Sequence, residues 1–467
     1  MRELTRRDLF QAAAGAAAIT VLPARSSRAY AANAALNIAG IGVGGRGHSH
    51  VESTIQQGEN LVAACDASEG SVNHCLKYVQ KNAKDRPAPK TFSDYREMFE
   101  KMEKEIDAVF VGAPDHHHAP ASMLAMKRKK HVYCEKPLTH DIAEARKMAE
   151  AARQYKLATQ MGNQGRQGDG WRLLSEYVWA GTLGAVKEVH IWTDRPGIPS
   201  RAWWPQGAAR PAGSEPIPKG LNWDAWLGQA PERPYLDTWK DGRWRGHRVY
   251  QPFVWRGWWD YGTGALGDIG CHAMSGTFTA LKIEHAASVE LIRDSGDGTE
   301  DMPPCATVIR WDIPARGDMG PCKLFWYDGG MYPDRALLDL PEGKNFPENG
   351  KMLVGEKGRL TYGDGGPPSF LGGAGKDFKP PAKTLPRCES NHFAEWVAAA
   401  KGGRPAFSNF DHAGPLTEFV LLGNLAVRAG AGKKVDWDGS AMKAKNLPAL
   451  NAFVSCPHRK GWEVEGR

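Results

Sequence analysis

The sequence predicts an α/β protein: an N-terminal doubly wound parallel sheet, then an α+β domain whose sheet is open and largely antiparallel. Three observations carry this. From residue 36 to residue 161, short apolar runs alternate with segments of helical spacing, as repeated β-α units do. The first apolar run ends in the glycine-rich turn Gly42-Val43-Gly44-Gly45-Arg46-Gly47. After about residue 162 the alternation weakens and isolated strand-like runs replace it. A chain of 467 residues exceeds one ordinary core. The expected division is a leader at 1–31, a nucleotide-binding domain at 35–160 and a substrate domain at 161–467.

Composition narrows the function classes. Hydrophobic residues make up 42% and charged residues 24%, which suits a globular protein with a polar surface. Of the net charge of +7, residues 1–31 supply +3 through five Arg against Glu3 and Asp8. The remainder is dispersed, with no basic stripe for nucleic acid. The eight Cys contain no CxxC and no zinc-type spacing. Cys65 and Cys134 lie in apolar runs and are expected in the core.

The first element is a targeting segment. Thr5-Arg6-Arg7-Asp8-Leu9-Phe10 resembles a twin-arginine export signal. Ala12 to Leu22 is an apolar run of 11 residues, too short to span a bilayer but suited to a signal h-region. Ala29-Tyr30-Ala31 offers a cleavage site. The expectation is export to the periplasm or another extracytoplasmic space by the twin-arginine machinery, with no membrane attachment after cleavage.

The second element is the nucleotide domain. Leu36 to Ile41 reads as a buried strand, and the turn after it is G-x-G-x-x-G at Gly42, Gly44 and Gly47. The first Gly permits the tight turn, the second lets backbone approach a pyrophosphate, and the third lets the helix pack on the strand. Phosphate then faces the free N–H groups of the helix N-terminus. A second strand, Asn60 to Cys65, ends at Asp66, 19 residues after Gly47. An acid there bonds a ribose 2′-OH and repels a 2′-phosphate. This is the Rossmann fingerprint, with NAD favoured over NADP. Further units follow: helix 69–82, strand 106–111, helix 119–127, strand 131–134, helix 141–155 capped by Thr139 or Asp141, and strand 157–161.

The second domain is less legible. Residues 186–192, 286–292, 307–311 and 323–327 look like strands, and 389–401 and 416–429 like helices that pack back between the domains. Residues 363–386 read as a surface loop. Residues 203–259 hold nine of the 17 Trp. Most are expected to pack that segment's own core, with Trp258 and Trp259 the best candidates to reach a sugar ring.

Several motifs then occur in order: Pro114-Asp115-His116-His117-His118, Glu135-Lys136-Pro137, Met161-Gly162-Asn163-Gln164-Gly165, Gly267-Asp268-Ile269-Gly270-Cys271-His272 and the Arg459-Lys460-Gly461-Trp462 tail. Through them the chain resembles the glucose–fructose oxidoreductase, inositol dehydrogenase and rhizopine-catabolism (Gfo/Idh/MocA) family. The resemblance implies that Glu135 and Lys136 lie at the nicotinamide ribose, that Lys136 is catalytic, and that Asp268 and His272 form the D-x-x-x-H pair. With the fingerprint, it assigns Gly42, Gly44, Arg46, Gly47 and Asp66, then Pro114, His118, Glu135 and Lys136, to the cofactor. It also implies a homo-oligomer. Many relatives carry an acid three residues after the histidine, where this chain has Ser275. Ser275 is read as lying behind the substrate site.

The chemistry agrees. Oxidising a secondary alcohol needs a base for its proton, and imidazole has a suitable pKa of ~6.5. Asp268 and His272 share one helix face four residues apart, so Asp268 is expected to bond substrate or orient the imidazole, while Lys136 stabilises the developing alkoxide. His116 and His117 are expected on a loop surface and His118 near the cofactor, with no metal site among them. The leading reading is an oxidoreductase that passes hydride between tightly bound NAD and a secondary alcohol of a sugar or cyclitol. The alternative is a redox-neutral NAD-dependent glycosidase acting by transient C3 oxidation and elimination; some exported relatives are such enzymes. A non-catalytic sensor is the third, and the retained Lys136, Asp268 and His272 argue against it.

Overall fold

The computed structural model describes residues 35–197, 201–372 and 378–462, so the export signal read at 1–31 lies outside the described residues. The first sheet is formed by β1 (Asn37–Ile41), β2 (Asn60–Cys65), β3 (Lys90–Phe92), β4 (Ala108–Val111), β5 (His131–Cys134) and β6 (Thr159–Met161). Their order is β3-β2-β1-β4-β5-β6 and every pairing is parallel. The helices between them are α1 (Gly45–Gln56), α2 (Glu69–Asn82), α3 (Tyr95–Met102), α4 (His118–Lys127) and α5 (Ile142–Tyr155). The order reverses at β1, where a doubly wound sheet opens its ligand crevice. Strand β4 and residues 132–134 of β5 are buried on both faces, as parallel strands under helices must be. Asp141 is the cap of α5: it accepts from Glu144 N while Glu144 reaches back to Asp141 N. β3 and α3 were not anticipated from sequence; β3 is three residues with no buried member, too short to show a period.

The second sheet follows α6 (Gly170–Trp179). Its strands are β7 (Val186–Trp192), β8 (Ser288–Asp294), β9 (Thr307–Ile313), β10 (Cys322–Tyr327), β11 (Gly350–Gly355), β12 (Gly358–Thr361), β13 (Ser369–Leu371), β14 (Lys434–Asp438) and β15 (Lys443–Ala444). They run in the order β13-β12-β11-β7-β10-β9-β8-β14-β15. All pairings are antiparallel except β7 with β10, so the sheet is open and largely antiparallel. The loop expected at 363–386 contains the edge strand β13.

Two long helices and one insertion position the site. Helix α8 (Gly264–Ala280) carries the D-x-x-x-H pair. Helix α10 (Phe410–Ala429), after α9 (His392–Ala400), packs between the layers. A Cβ on its Gly414 would lie 2.8 Å from Ala149 Cβ on α5, and one on Gly423 2.4 Å from Leu266 on α8; both glycines permit close helix approach. The segment 201–262, with the short helix α7 (Trp223–Leu227), builds its own aromatic core. Trp223 stacks on Trp226 at 4.7 Å, and Trp239 on Trp258 at 5.8 Å.

Candidate active site

A cavity of about 1070 Å³ runs from the β1–α1 turn to α8. One wall is the nucleotide sheet, the other the Trp-rich segment. At one end the turn is stripped of side chains for steric reasons. Gly42 has φ +76, and a Cβ on it would stand 2.4 Å from Ala113 N; one on Gly47 would stand 1.8 Å from Gly42 O. Helix α1 begins at Gly45 with no side-chain cap, so its first N–H groups are free for an anion. Asp66, at the end of β2, accepts from Val43 N (3.0 Å) and Gly44 N (3.2 Å) through Oδ2, and from Ser68 N (2.9 Å) through Oδ1. Burial raises its pKa against those bonds. The bare turn, the free helix end and an acid beside them fit the pyrophosphate and ribose of a dinucleotide. Arg46 also lines this end.

The Trp-rich segment closes over this end as a strap. Glu69 N donates to Gly220 O and Asn222 N to Ala67 O, each at 2.8 Å. Asn222 Nδ2 donates to Ser93 Oγ at 3.0 Å. Two of the three anchor points, Ala67 and Glu69, therefore follow Asp66 closely in the chain.

Beside the Gly42–Gly47 turn, toward α8, lies the Glu135-Lys136-Pro137 turn after β5. Glu135 contacts His50 Nε2 (2.8 Å), Arg46 Nε (3.3 Å) and Gln164 Nε2 (3.1 Å). Burial opposes its charge, but His50, Arg46 and Lys136 outweigh it and hold the carboxyl well below the usual range. Lys136 Nζ donates to Asp268 Oδ1 and to Asp268 O, each at 2.7 Å. Arg256 Nε donates to the same Oδ1 at 2.9 Å. Burial opposes the charge of Asp268 too, and these two cations keep it ionised.

The role expected for Asp268 is partly corrected here. Its carboxylate engages Lys136 and Arg256, and the imidazole is oriented by Asn163. Asn163 Oδ1 lies 3.0 Å from His272 Nδ1, and Asn163 Nδ2 donates to Cys271 O at 3.0 Å. That second bond fixes which way the amide faces, so Nδ1 carries the proton and Nε2 keeps its lone pair. Burial, then the charge of Lys136, lower the His272 pKa to about 4. The ring is thus neutral at physiological pH. In the sequence Asn163 stands inside the Met161–Gly165 motif, and its spacing from His272 carries no sign of their partnership.

His116 and His117 are buried, contrary to the surface expectation. The strap covers them: His116 Nε2 and His117 Nε2 lie 3.0 and 2.9 Å from Trp226 O. His116 Nδ1 also faces a carbonyl, Tyr261 O at 3.2 Å, so both of its ring nitrogens are engaged, whereas His117 Nδ1 makes no hydrogen bond. His118 Nδ1 and Nε2 face Pro137 O (2.6 Å) and Ala113 O (2.9 Å), clamping the two cofactor-side turns together. Pro114 and His118 both line the cavity. Asp141, Glu144 and His458 bring ligand-type atoms within 4.8 Å, but the Asp141 and Glu144 carboxylates are engaged in the α5 capping box.

The aromatic expectation is corrected as well. Trp258 is fully buried in the strap's core, and Trp259 lies under Arg428 away from the cavity. The tryptophans that line the cavity are Trp203, Trp226, Trp255 and Trp462. Ser275 bonds Arg166 Nη1 and His412 Nε2, each at 3.1 Å, and does not line the cavity.

Comparisons with known proteins bear on this site. Residues 36–163 match the Gfo/Idh/MocA oxidoreductase family profile for an NAD-binding Rossmann fold, and residues 174–352 match that family's C-terminal alpha/beta domain. An alpha-N-acetylgalactosaminidase of Shewanella oneidensis is 34% identical over 115 residues, 24% of this chain and 25% of that protein. An inositol 2-dehydrogenase of Salmonella typhimurium is 29% identical over 154 residues, 33% of this chain and 44% of that protein. The chain thus matches less than half the length of either relative. Among solved structures, the WlbA dehydrogenase of Chromobacterium violaceum, in complex with NADH and UDP-GlcNAcA, gives a TM-score of 0.55 at 15% identity, covering 90% of this chain and 99% of that one. An aldose–aldose oxidoreductase of Caulobacter crescentus gives 0.51 at 17% identity, covering 86% and 100%. At these identities the likeness is one of fold.

Proposed function

Because the chain belongs to the Gfo/Idh/MocA oxidoreductase family, we propose that it oxidises and reduces a secondary alcohol of a sugar or cyclitol with bound NAD. The observation that carries this is the convergence, in one cavity, of the bare Gly42–Gly47 turn, the Lys136–Asp268 pair and a neutral His272. Bound NAD supplies the hydride acceptor. His272 Nε2 takes the hydroxyl proton as the C–H hydride leaves, and Lys136 stabilises the developing alkoxide. Asp268 holds the Lys136 ammonium in place and is itself fixed by Arg256. Asp66 favours NAD over a 2′-phosphorylated cofactor.

The strap favours a second reading, in which the same site hydrolyses a glycoside without net redox change. A cover anchored beside Asp66 supports retention of the cofactor between turnovers. A retained cofactor must be returned to its starting state in place. Hydride transfer from C3 to the cofactor would acidify the C2 proton, elimination would expel the aglycone, water would add, and return of the hydride to C3 would restore both the sugar's oxidation level and the cofactor. The twin-arginine-like leader supports action outside the cytoplasm, where no NAD pool is at hand, and homo-oligomerisation through the second sheet follows the family resemblance.

The test uses a panel of p-nitrophenyl glycosides and free sugars, with nitrophenolate and NADH followed together. NADH formation from a free sugar without aglycone release establishes the oxidoreductase. Nitrophenol release without NADH, lost in His272→Ala, establishes the glycosidase. Denaturation of the purified protein should release NAD(H); release of NADP(H) alone would overturn the Asp66 argument.

A further inference from the structure

The cavity has a mouth that hydride chemistry does not require. Two of the large apolar side chains left exposed among the described residues stand there: Trp203, 49% exposed, and Phe253, 42% exposed. Neither is placed by packing alone. The Trp203 ring has the Arg195 guanidinium 3.6 Å from its centroid, and its Nε1 donates to Asp194 Oδ2 at 3.1 Å. A ring fixed by a cation and an N–H bond, yet half in solvent, is a prepared surface.

Phe253 has φ +70, in the region that glycine occupies freely and a side chain enters at a cost. Burial repays that cost only in part: the ring meets Trp204 edge-on at 6.0 Å but stays 42% exposed. Strain kept at an exposed position in a ligand cavity points to use. The ring lies 4.0 Å from the Arg256 guanidinium, which is also 4.3 Å from the Trp255 ring. Arg256 donates to Phe253 O at 3.0 Å and, through Nε, to Asp268 at 2.9 Å. One guanidinium therefore ties the aromatic mouth to the Lys136–Asp268 pair.

The geometry points to a second saccharide subsite formed by Trp203, Phe253 and Trp255, which takes the pyranose ring linked to the one being oxidised. The preferred substrate is then an oligosaccharide or a disaccharide glycoside. Flat aromatic faces suit the C–H faces of a pyranose, and Arg195, Arg256 and Asp194 supply donors and an acceptor for its hydroxyls. A bare lipid or an aromatic anion would use the rings or the arginines but not the mixture. The inference rests on the carbohydrate reading of the cavity.

Calorimetry on the purified holoenzyme tests it. The probes are the methyl pyranosides of glucose, galactose and N-acetylgalactosamine, each against a disaccharide with that sugar at its non-reducing end. For the sugar that binds, the disaccharide should bind about tenfold tighter, the scale of one aromatic contact. Trp203→Ala should abolish that advantage. Phe253→Gly should reduce it while leaving Tm equal or higher, since glycine relaxes the backbone; a merely structural Phe253 would lower Tm instead. Equal binding of the two lengths, or a loss in Trp203→Ala shared equally by both, overturns the subsite. If none of these carbohydrates binds at either length, the subsite is overturned, and the carbohydrate reading is decided by the NADH and nitrophenolate panel.

Discussion

Asn163→Asp puts a carboxylate where an amide oxygen now lies, 3.0 Å from His272 Nδ1. In the present site burial and Lys136 hold His272 near a pKa of about 4. At an effective dielectric of about 20, opposite charges at that separation attract by roughly 5 kcal/mol before the burial of the new charge is subtracted. A carboxylate beside an ionisable cation typically nets a shift of about 1–3 units. The imidazole pKa should therefore rise to between about 5 and 7. The acid limb of kcat/KM, which reports the free enzyme's base, should move up by the same amount. The bond from Asn163 Nδ2 to Cys271 O is lost too, a stability cost of about 1–3 kcal/mol. The assay is the pH profile of kcat/KM on the best substrate of the panel, with an NMR titration of the His272 ring as an independent readout. An acid limb that stays near its original pH, while the NMR titration moves, would show that His272 is not the base. If neither moves, Asn163 does not control the ring and the geometric argument fails.

Other perturbations follow from the same geometry. Lys136→Met should lower kcat by about 10²–10⁴ while the protein still retains NAD on gel filtration; unchanged kcat would remove Lys136 from the mechanism. Asp66→Asn should weaken NAD binding by about tenfold or more, because a charged acceptor worth roughly 1.5–3 kcal/mol is lost, and should relax discrimination against NADP; calorimetry with both cofactors checks this. Burial holds His117, His272 and His392 near about 4 and also lowers His116 and His412. An unfolded histidine protonates near ~6.5, so their contribution is full above that pH and is lost as pH falls toward 4. His118 has the opposite sign: burial is outweighed by Cys134, Asp115 and the Pro137 carbonyl, and its pKa rises to about 10. Its contribution is present below ~6.5 and lost as pH rises through 10. Tm should therefore fall on acidification from pH 7 to 4.5 as the lowered histidines dominate; a Tm that rises would refute the burial argument.

What the sequence disclosed depends on how local each signal is. The Gly42–Gly47 turn, Asp66 and the β-α alternation are contiguous patterns with one steric meaning, and their elements lie where they were expected. Lys136, Asp268 and His272 were recognisable as motifs, and the structure brings all three to one cavity. Their pairing was not recognisable. Asp268 and His272 share a helix face, which suggested a mutual bond, but Lys136 and Arg256 take that carboxylate from other chain segments. The buried state of His116 and His117 depends on the Trp226 carbonyl, 109 residues or more away. Trp258 and Trp259 closely precede the Asp268 motif, yet Trp258 Nε1 donates to Val249 O at 2.6 Å and turns its ring into the strap's core. Aromatic content predicts that a core exists; which rings escape it is decided by backbone turns that leave no local pattern.

The strap also connects the two proposed readings of the reaction. If NAD leaves by lifting the strap, each exchange breaks the Glu69–Gly220 and Asn222–Ala67 backbone bonds. Each contributes only about 0.5–1.5 kcal/mol net, so these bonds alone would not prevent opening. The obstacle is what lies behind them. Trp223 follows Asn222 directly and is stacked in an aromatic core with Trp226 and packed against Tyr235 and Tyr250, so lifting the strap exposes rings that each bury on the order of 150–250 Å². Turnover without release needs no such step. Loosening the strap with Asn222→Pro, which removes both the N–H donor to Ala67 and the side-chain bond to Ser93, should speed exchange of bound NAD for isotopically labelled NAD by tenfold or more. Wild-type exchange as fast as turnover would leave the simple, exchanging oxidoreductase as the reading to keep.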